Sequence, residues 1–152
     1  MQIYLIQHGD AKPEEEDPER PLSNTGMEET KAIAAKLKEL SIKPAKIFHS
    51  PKLRARQTAE LLASALGSVA EETEGLKPKD NPQTIIGKIG TLEETGTYMF
   101  VGHLPHLELL SALLLTGKIE PPIHISRYSA PLCLENTEGN WRIKFYLLPE
   151  LL

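Results

Sequence analysis

The order of hydrophobic patterns in this chain predicts an α/β fold of three layers: a largely parallel sheet flanked by helices, with an antiparallel hairpin at the C-terminal end. Three observations predict it. Short β-branched and aromatic runs alternate with stretches of helical periodicity, giving βαβα order through the first half of the chain. Two of the runs, Ile3-Tyr4-Leu5-Ile6 and Tyr98-Met99-Phe100-Val101, are apolar at every position, as parallel strands covered on both faces must be. The last two runs are joined by Asn136-Thr137-Glu138-Gly139-Asn140, whose composition suits a hairpin loop.

The elements follow in order. A strand near 2–7 ends at His8-Gly9, where glycine frees the backbone to turn. A helix near 24–40 has Ser23 or Thr25 as its cap, Thr25-x-x-Glu28 as a possible capping box, and Ile33, Leu37 and Leu40 at helical spacing. Pro44 separates it from a strand near 46–50. The helix near 53–66 presents Leu53, Leu61, Leu62, Ala65 and Leu66, with Gly67 as its stop. Residues 71–81 read as irregular. Pro82 opens a short helix to Leu92, and the strand Thr97–Gly102 again ends in glycine and histidine, His103. Pro105 begins a helix with Leu107, Leu110, Leu113 and Leu114 as its stripe, ending at Gly117 before Pro121-Pro122. The closing strands lie near 130–135 and 141–148.

At 152 residues the chain is expected to form one domain, 1–152, large enough to need no disulfide or metal staple. Its single cysteine, Cys133, sits in an apolar run and reads as a core thiol in a reducing, cytoplasmic setting. No apolar run approaches the roughly 20 residues that cross a bilayer, and no secretory leader pattern opens the chain. With 17 basic and 21 acidic side chains the net charge is -4, which offers no field to attract nucleic acid or an anionic membrane. An anionic ligand must therefore be captured locally.

In parallel α/β sheets ligands bind beyond the carboxyl ends of the strands. His8 follows the first strand, Ser50 and Arg54 follow the second, and His103 follows the strand at 97–102, so all can converge at one sheet edge. Taken alone, His8 reads first as a core histidine; its companions reverse that reading. Two imidazoles and a guanidinium suit phosphoryl transfer, because imidazole accepts a phosphoryl group and a guanidinium at a helix start holds its oxygens. Arg56, two residues on, points elsewhere and reads as a solvent-facing charge.

Four segments together resemble the histidine phosphatase superfamily, and more closely its small SixA-type phosphohistidine phosphatase branch. They are Leu5-Ile6-Gln7-His8-Gly9-Asp10-Ala11, Arg20-Pro21-Leu22-Ser23-x-x-Gly26, Ser50-Pro51-x-x-Arg54-Ala55-x-Gln57-Thr58, and Gly102-His103-Leu104-Pro105. The resemblance implies a phosphoglycerate mutase-like fold and a phosphatase in which His8 becomes phosphorylated while Arg54 and His103 bind phosphoryl oxygens. It also implies substrate contacts from Gln7, Gly9 and Arg20, and neither metal nor organic cofactor. The expected partners are phosphate and a phosphohistidine-bearing protein, met by a monomer.

One position departs from the family: arginine precedes the nucleophile in its first motif, and Gln7 stands here. A charge-assisted donor is about twice as strong as a neutral one, so an attenuated phosphatase is expected, with Arg20, Lys12 or Lys52 as candidate replacement cations. The rival is a phosphate- or phosphoprotein-binding module with weak or no turnover. A small-molecule phosphomonoesterase is a further alternative, but it needs a general acid, and Glu74 and Asp80 read as solvated loop carboxylates. The P-N bond of phosphohistidine makes less demand for an acid than an alkoxide leaving group does. The chain lacks a capping insertion, which predicts an open pocket, and Glu14-Glu15-Glu16-Asp17 with Glu19 reads as a solvated loop that can rim it. His49 reads as a strand-end histidine for which packing or a loop hydrogen bond is adequate, and His124 as a loop histidine. His106, three residues after His103, lacks the third ligand a metal would require.

Overall fold

The computed structural model describes residues 1–152. Its centre is a six-stranded sheet in the order β3-β2-β4-β1-β5-β6. Strands β1 (Gln2–Gln7), β2 (Lys46–His49), β3 (Ala70–Glu72) and β4 (Thr97–Gly102) run parallel, and β5 (Pro131–Thr137) and β6 (Asn140–Tyr146) form the antiparallel hairpin at one edge. Between them come the helices α1 (Asn24–Glu39), α2 (Leu53–Leu66), α3 (Pro82–Ile89) and α4 (His106–Thr116). A 3-10 turn at Pro149–Leu151 ends the chain.

The period of two in a strand divides the core. From β1, Ile3 and Leu5 enter one buried cluster with Ile85 and Ile89 of α3 and Leu107 and Leu110 of α4. Tyr4 and Ile6 enter the opposite cluster with Ile33 and Leu37 of α1 and Ala55, Ala59 and Leu62 of α2. Sheet and helices therefore make three layers, and a continuous apolar run in β1 is the sequence mark of that arrangement. Cys133 lies buried in the second cluster. No helix is long and apolar enough to cross a membrane.

Three local expectations need correction. Residues 71–81 are not wholly irregular: Glu71 and Glu72 belong to β3, paired with Phe48 and His49 of β2. Ala-Glu-Glu has little intrinsic strand preference, so backbone pairing at the sheet edge, not propensity, makes this strand, and its exposed carboxylates suit an edge. The cap of α1 is Ser23, whose Oγ accepts from Gly26 N at 3.0 Å, and Thr25 lies inside the helix.

Gly9 also differs in its reason. It is not among the residues with positive φ. Space is what it supplies, since a Cβ there would lie 2.9 Å from Thr30 Oγ1 and 3.1 Å from Gly26 O. Gly26 is tighter still, because its Cβ would fall 2.1 Å from Asp10 O. The start of α1 thus presses directly on the turn that carries His8. Gly26→Ala is expected to lower the unfolding free energy by about 1–3 kcal/mol, as overpacking does, and urea denaturation checks it. An unchanged midpoint would mean that the turn yields freely.

Candidate functional site

The site grows out of the pairing of β1 with β4. Gln7 stands opposite Gly102 in parallel register, so the next residue of each strand, His8 and His103, leaves the same sheet edge side by side. His8 N donates to Gly102 O at 3.0 Å, and the two imidazole centroids lie 5.0 Å apart with planes at 52°. On the far side of β4, β2 ends at His49 opposite Val101, and Ser50 N donates to Val101 O at 3.2 Å. That places the Ser50 hydroxyl 2.6 Å from His103 Nε2.

Helix α2 begins three residues after Ser50 and carries Arg54 in its first turn. Arg54 Nε donates to His8 Nε2 at 3.3 Å. Thr58, one turn later, ties helix to turn: its hydroxyl donates to Arg54 O at 2.8 Å and accepts from Gly9 N at 2.9 Å. Gln57 Oε1 accepts from Leu22 N at 2.8 Å and so fixes the chain leading into α1.

Hydrogen bonding decides the tautomer of His8. The carbonyl of Gly9 can only accept, so His8 Nδ1, 2.7 Å away, carries the proton and Nε2 keeps its lone pair. His8 is 6 % exposed, and burial is the largest cause that pushes its pKa down from 6.5 to about 4, with the charges of Arg54 and Arg20 adding to it. His103 is pushed to about 3, first by burial and then by His8, Arg54 and Lys52. Arg54 is itself lowered, by burial and by the charge of Arg20. At neutral pH the site therefore holds two uncharged imidazoles beside fixed cations, an arrangement that favours an oxyanion between them.

The expected residues His8, Gly9, Arg54 and His103 meet here. Arg20 joins them: its Nε donates to Lys12 O at 3.1 Å, and its charge reaches both His8 and Arg54. Gln7 lies at the end of β1 with its backbone oxygen accepting from Ser129 N at 3.0 Å, while its side-chain Oε1 is buried without a hydrogen-bond partner. Lys12 sits 4.0 Å from Glu16 on the exposed loop that carries Glu14 to Glu19. Asp10, the carboxylate whose charge reaches His8, accepts a hydrogen bond from the Ser23 hydroxyl.

Other residues stand apart. Arg56 is exposed and 3.7 Å from Glu60. His49 is buried and donates from Nδ1 to Ser50 O at 2.8 Å. His124 faces the Glu108 carboxylate at 3.3 Å, and His106 is buried with neither ring nitrogen bonded. Glu74 and Asp80 line a polar cleft of about 540 Å³ with Pro51, Lys77 and Thr84, which includes none of His8, Arg54 or His103. No group of three or more His, Cys, Asp or Glu side chains is placed to hold a metal ion.

Sequence reasoning missed two contacts. It brought Ser50 to the edge without its bond to His103, and it overlooked Tyr128, whose ring lies 5.5 Å from that of His8 at an interplanar angle of 37°. Nothing local in Ser126-Arg127-Tyr128-Ser129 signals a site; only the fold brings that segment over β1.

Known proteins share this fold. Phosphohistidine phosphatase SixA of Escherichia coli K12 is 29% identical over 150 residues, covering 94% of this chain and 93% of that protein. The structure of the protein histidine phosphatase SixA complexed with tungstate superposes with a TM-score of 0.85, at 29% identity and 99% coverage of both chains. The α-ribazole phosphatase of Shigella flexneri shares the fold, with a TM-score of 0.80, 13% identity, and 98% of this chain and 97% of that one covered. An uncharacterised protein of a Picosynechococcus strain is 36% identical over 113 residues, which is 70% of this chain and 68% of its own. Residues 3–81 match the histidine phosphatase superfamily, branch 1, and this chain belongs to that family.

Proposed function

We propose that this protein removes the phosphoryl group from phosphohistidine on another protein, acting as a monomer in the cytoplasm. The observation that carries the reading is the protonation state of His8: Nδ1 holds the proton and Nε2 offers its lone pair beside Arg54 and His103. His8 Nε2 attacks phosphorus, the P-N bond to the substrate imidazole breaks, and that imidazole leaves as it takes up a proton. Water then attacks phospho-His8, releasing inorganic phosphate and restoring the neutral ring. Arg54, His103 and Arg20 stabilise the charge on the transferring oxygens. The similarity to SixA over nearly the whole chain supports phosphohistidine as the substrate.

Gln7 favours a second reading, a module that binds phosphate or a phosphoprotein with little turnover. Its amide replaces a cation at the transition state, while Arg20 supplies positive charge from the segment between β1 and α1. A neutral donor in place of a charged one leaves an enzyme that is slowed rather than dead.

Single-turnover reaction with a 32P-phosphohistidine protein is expected to trap acid-labile label on His8, and His8→Ala to abolish both label and phosphate release. Release of phosphate without labelled His8 would overturn the covalent route. Gln7→Arg is expected to raise kcat/KM about 10²- to 10³-fold, since one transition-state donor is worth that order; an unchanged value would mean that Arg20 already replaces the lost cation in full. Stability carries a further signature. The folded-state pKa values of His8 and His103 lie below 6.5, so from pH 6.5 down to about 4 at His8, and down to about 3 at His103, the unfolded chain binds protons that the folded chain does not. Their contribution is present in full above pH 6.5 and is lost as pH falls through that window, and the double change His8→Asn, His103→Asn should flatten this part of the urea-unfolding profile.

A further inference from the structure

The segment between α4 and β5, Gly117 to Ala130, crosses the molecule as a strap, and it is anchored on both sides of Tyr128. Before it, Ile125 N donates to the largely buried Glu108 carboxylate at 2.9 Å, and Ile123 N donates to Glu108 O at 3.2 Å. Next to it, the Arg127 guanidinium is held by Glu29 of α1 and, at 3.0 Å, by Glu150 of the terminal 3-10 turn; Arg127 Nη1 also donates to Tyr128 O at 3.0 Å. After it, Ser129 N donates to Gln7 O at 3.0 Å, and its buried hydroxyl lies 2.8 Å from that of Thr30. Anchors to α1, β1, α4 and the C-terminal turn converge on one half-buried aromatic residue whose ring rests against His8.

We propose that Tyr128 is a positioning residue for His8, its ring packed against the imidazole so that Nε2 stays aimed at the oxyanion pocket and water stays off that side of the ring. The inference rests on the phosphatase reading for its catalytic consequence. In-plane contacts already fix the ring edges, Nδ1 through Gly9 O and Nε2 through Arg54 Nε. Those two bonds leave the imidazole free to rock about the line that joins them. Rings on its flanks, His103 at 52° and Tyr128 at 37°, oppose that motion. Aromatic pairs at such separations favour offset and tilted geometries, so the contact is attractive as well as restrictive. The charged and titratable groups that face His8 are His103 from the turn after β4, Arg54 from α2, Arg20 and Asp10 from the segment between β1 and α1, and Tyr128 from the strap. Burial is the largest of the influences that hold His8 near 4, and the Tyr128 ring lies 5.5 Å from the His8 ring.

The test compares Tyr128→Ala, Tyr128→Phe and Arg127→Ala in the full chain, with kcat and KM on a phosphohistidine protein and the His8 titration by imidazole NMR. Tyr128→Ala is expected to lower kcat about 10- to 100-fold while KM changes less than about threefold, as misorientation of a nucleophile does. Its His8 midpoint should rise from about 4 toward 6.5 as water reaches the ring. Tyr128→Phe should keep both values, and Arg127→Ala should move both in the direction of Tyr128→Ala by releasing the strap. A Tyr128→Ala protein with unchanged kcat and unchanged midpoint overturns the proposal. So does a Tyr128→Phe protein as impaired as Tyr128→Ala, which would assign the role to the hydroxyl. The NMR midpoint decides the matter even where no variant turns over: a wild type without turnover but with the expected shift in Tyr128→Ala refutes the phosphatase reading and leaves the positioning of His8 standing.

Discussion

The parallel pairing of β1 with β4 is the constraint from which the rest of the site follows. Its register sets Gln7 against Gly102, and any slip by one residue would send the side chains of β1 to the opposite layer, exchanging Ile3 and Leu5 with Tyr4 and Ile6 in the two cores. Core burial therefore holds the register, and the register brings two histidines about 95 positions apart in sequence to ring centroids 5.0 Å apart. Burial of apolar surface on both faces of the sheet does the energetic work; the polar site at its edge is carried by it.

That edge is buried and positively biased, which is unfavourable for a protonated imidazole and favourable for a phosphoryl group. Neutral His8 is bonded at Nδ1 to Gly9 O, while neutral His103 is bonded at Nε2 to Ser50 Oγ and leaves its Nδ1 buried without a partner. Arg54 from α2 and Arg20 from the segment before α1 form no salt bridge, and Asp10 is the one carboxylate whose charge reaches His8, so positive charge predominates there. The pocket is thus arranged for a charge that is absent in the resting state, which is the general design of electrostatic catalysis.

Departure from the family at Gln7 fits this picture. The side chain ends β1 with a buried, unpartnered Oε1, and Arg20, bonded to Lys12 O, brings its charge to the neighbouring His8. The strap that carries Tyr128 closes over the same strand end, bonding Gln7 O through Ser129 N. His8, Gln7 and the strap are therefore in direct contact, through Ser129 N to Gln7 O and the Tyr128 ring beside His8.

Local patterning determined much of this protein by itself. Continuous apolar strands, helical stripes and glycine stops set the α/β order, and a histidine after each of two central strands, with Arg54 in the first turn of α2, placed the chemistry at one sheet edge. Those signals are short-range, because each is a burial pattern that repeats within a single element. Three features were decided only by tertiary structure: β3, a strand made by pairing of a sequence without strand preference; the crowding that makes Gly9 and Gly26 glycines, which depends on how closely α1 presses on the turn after β1; and Tyr128, about 120 residues from His8 with no motif around it. Each is a contact between segments distant in sequence, and such contacts exist only once the sheet has closed and its helices have packed.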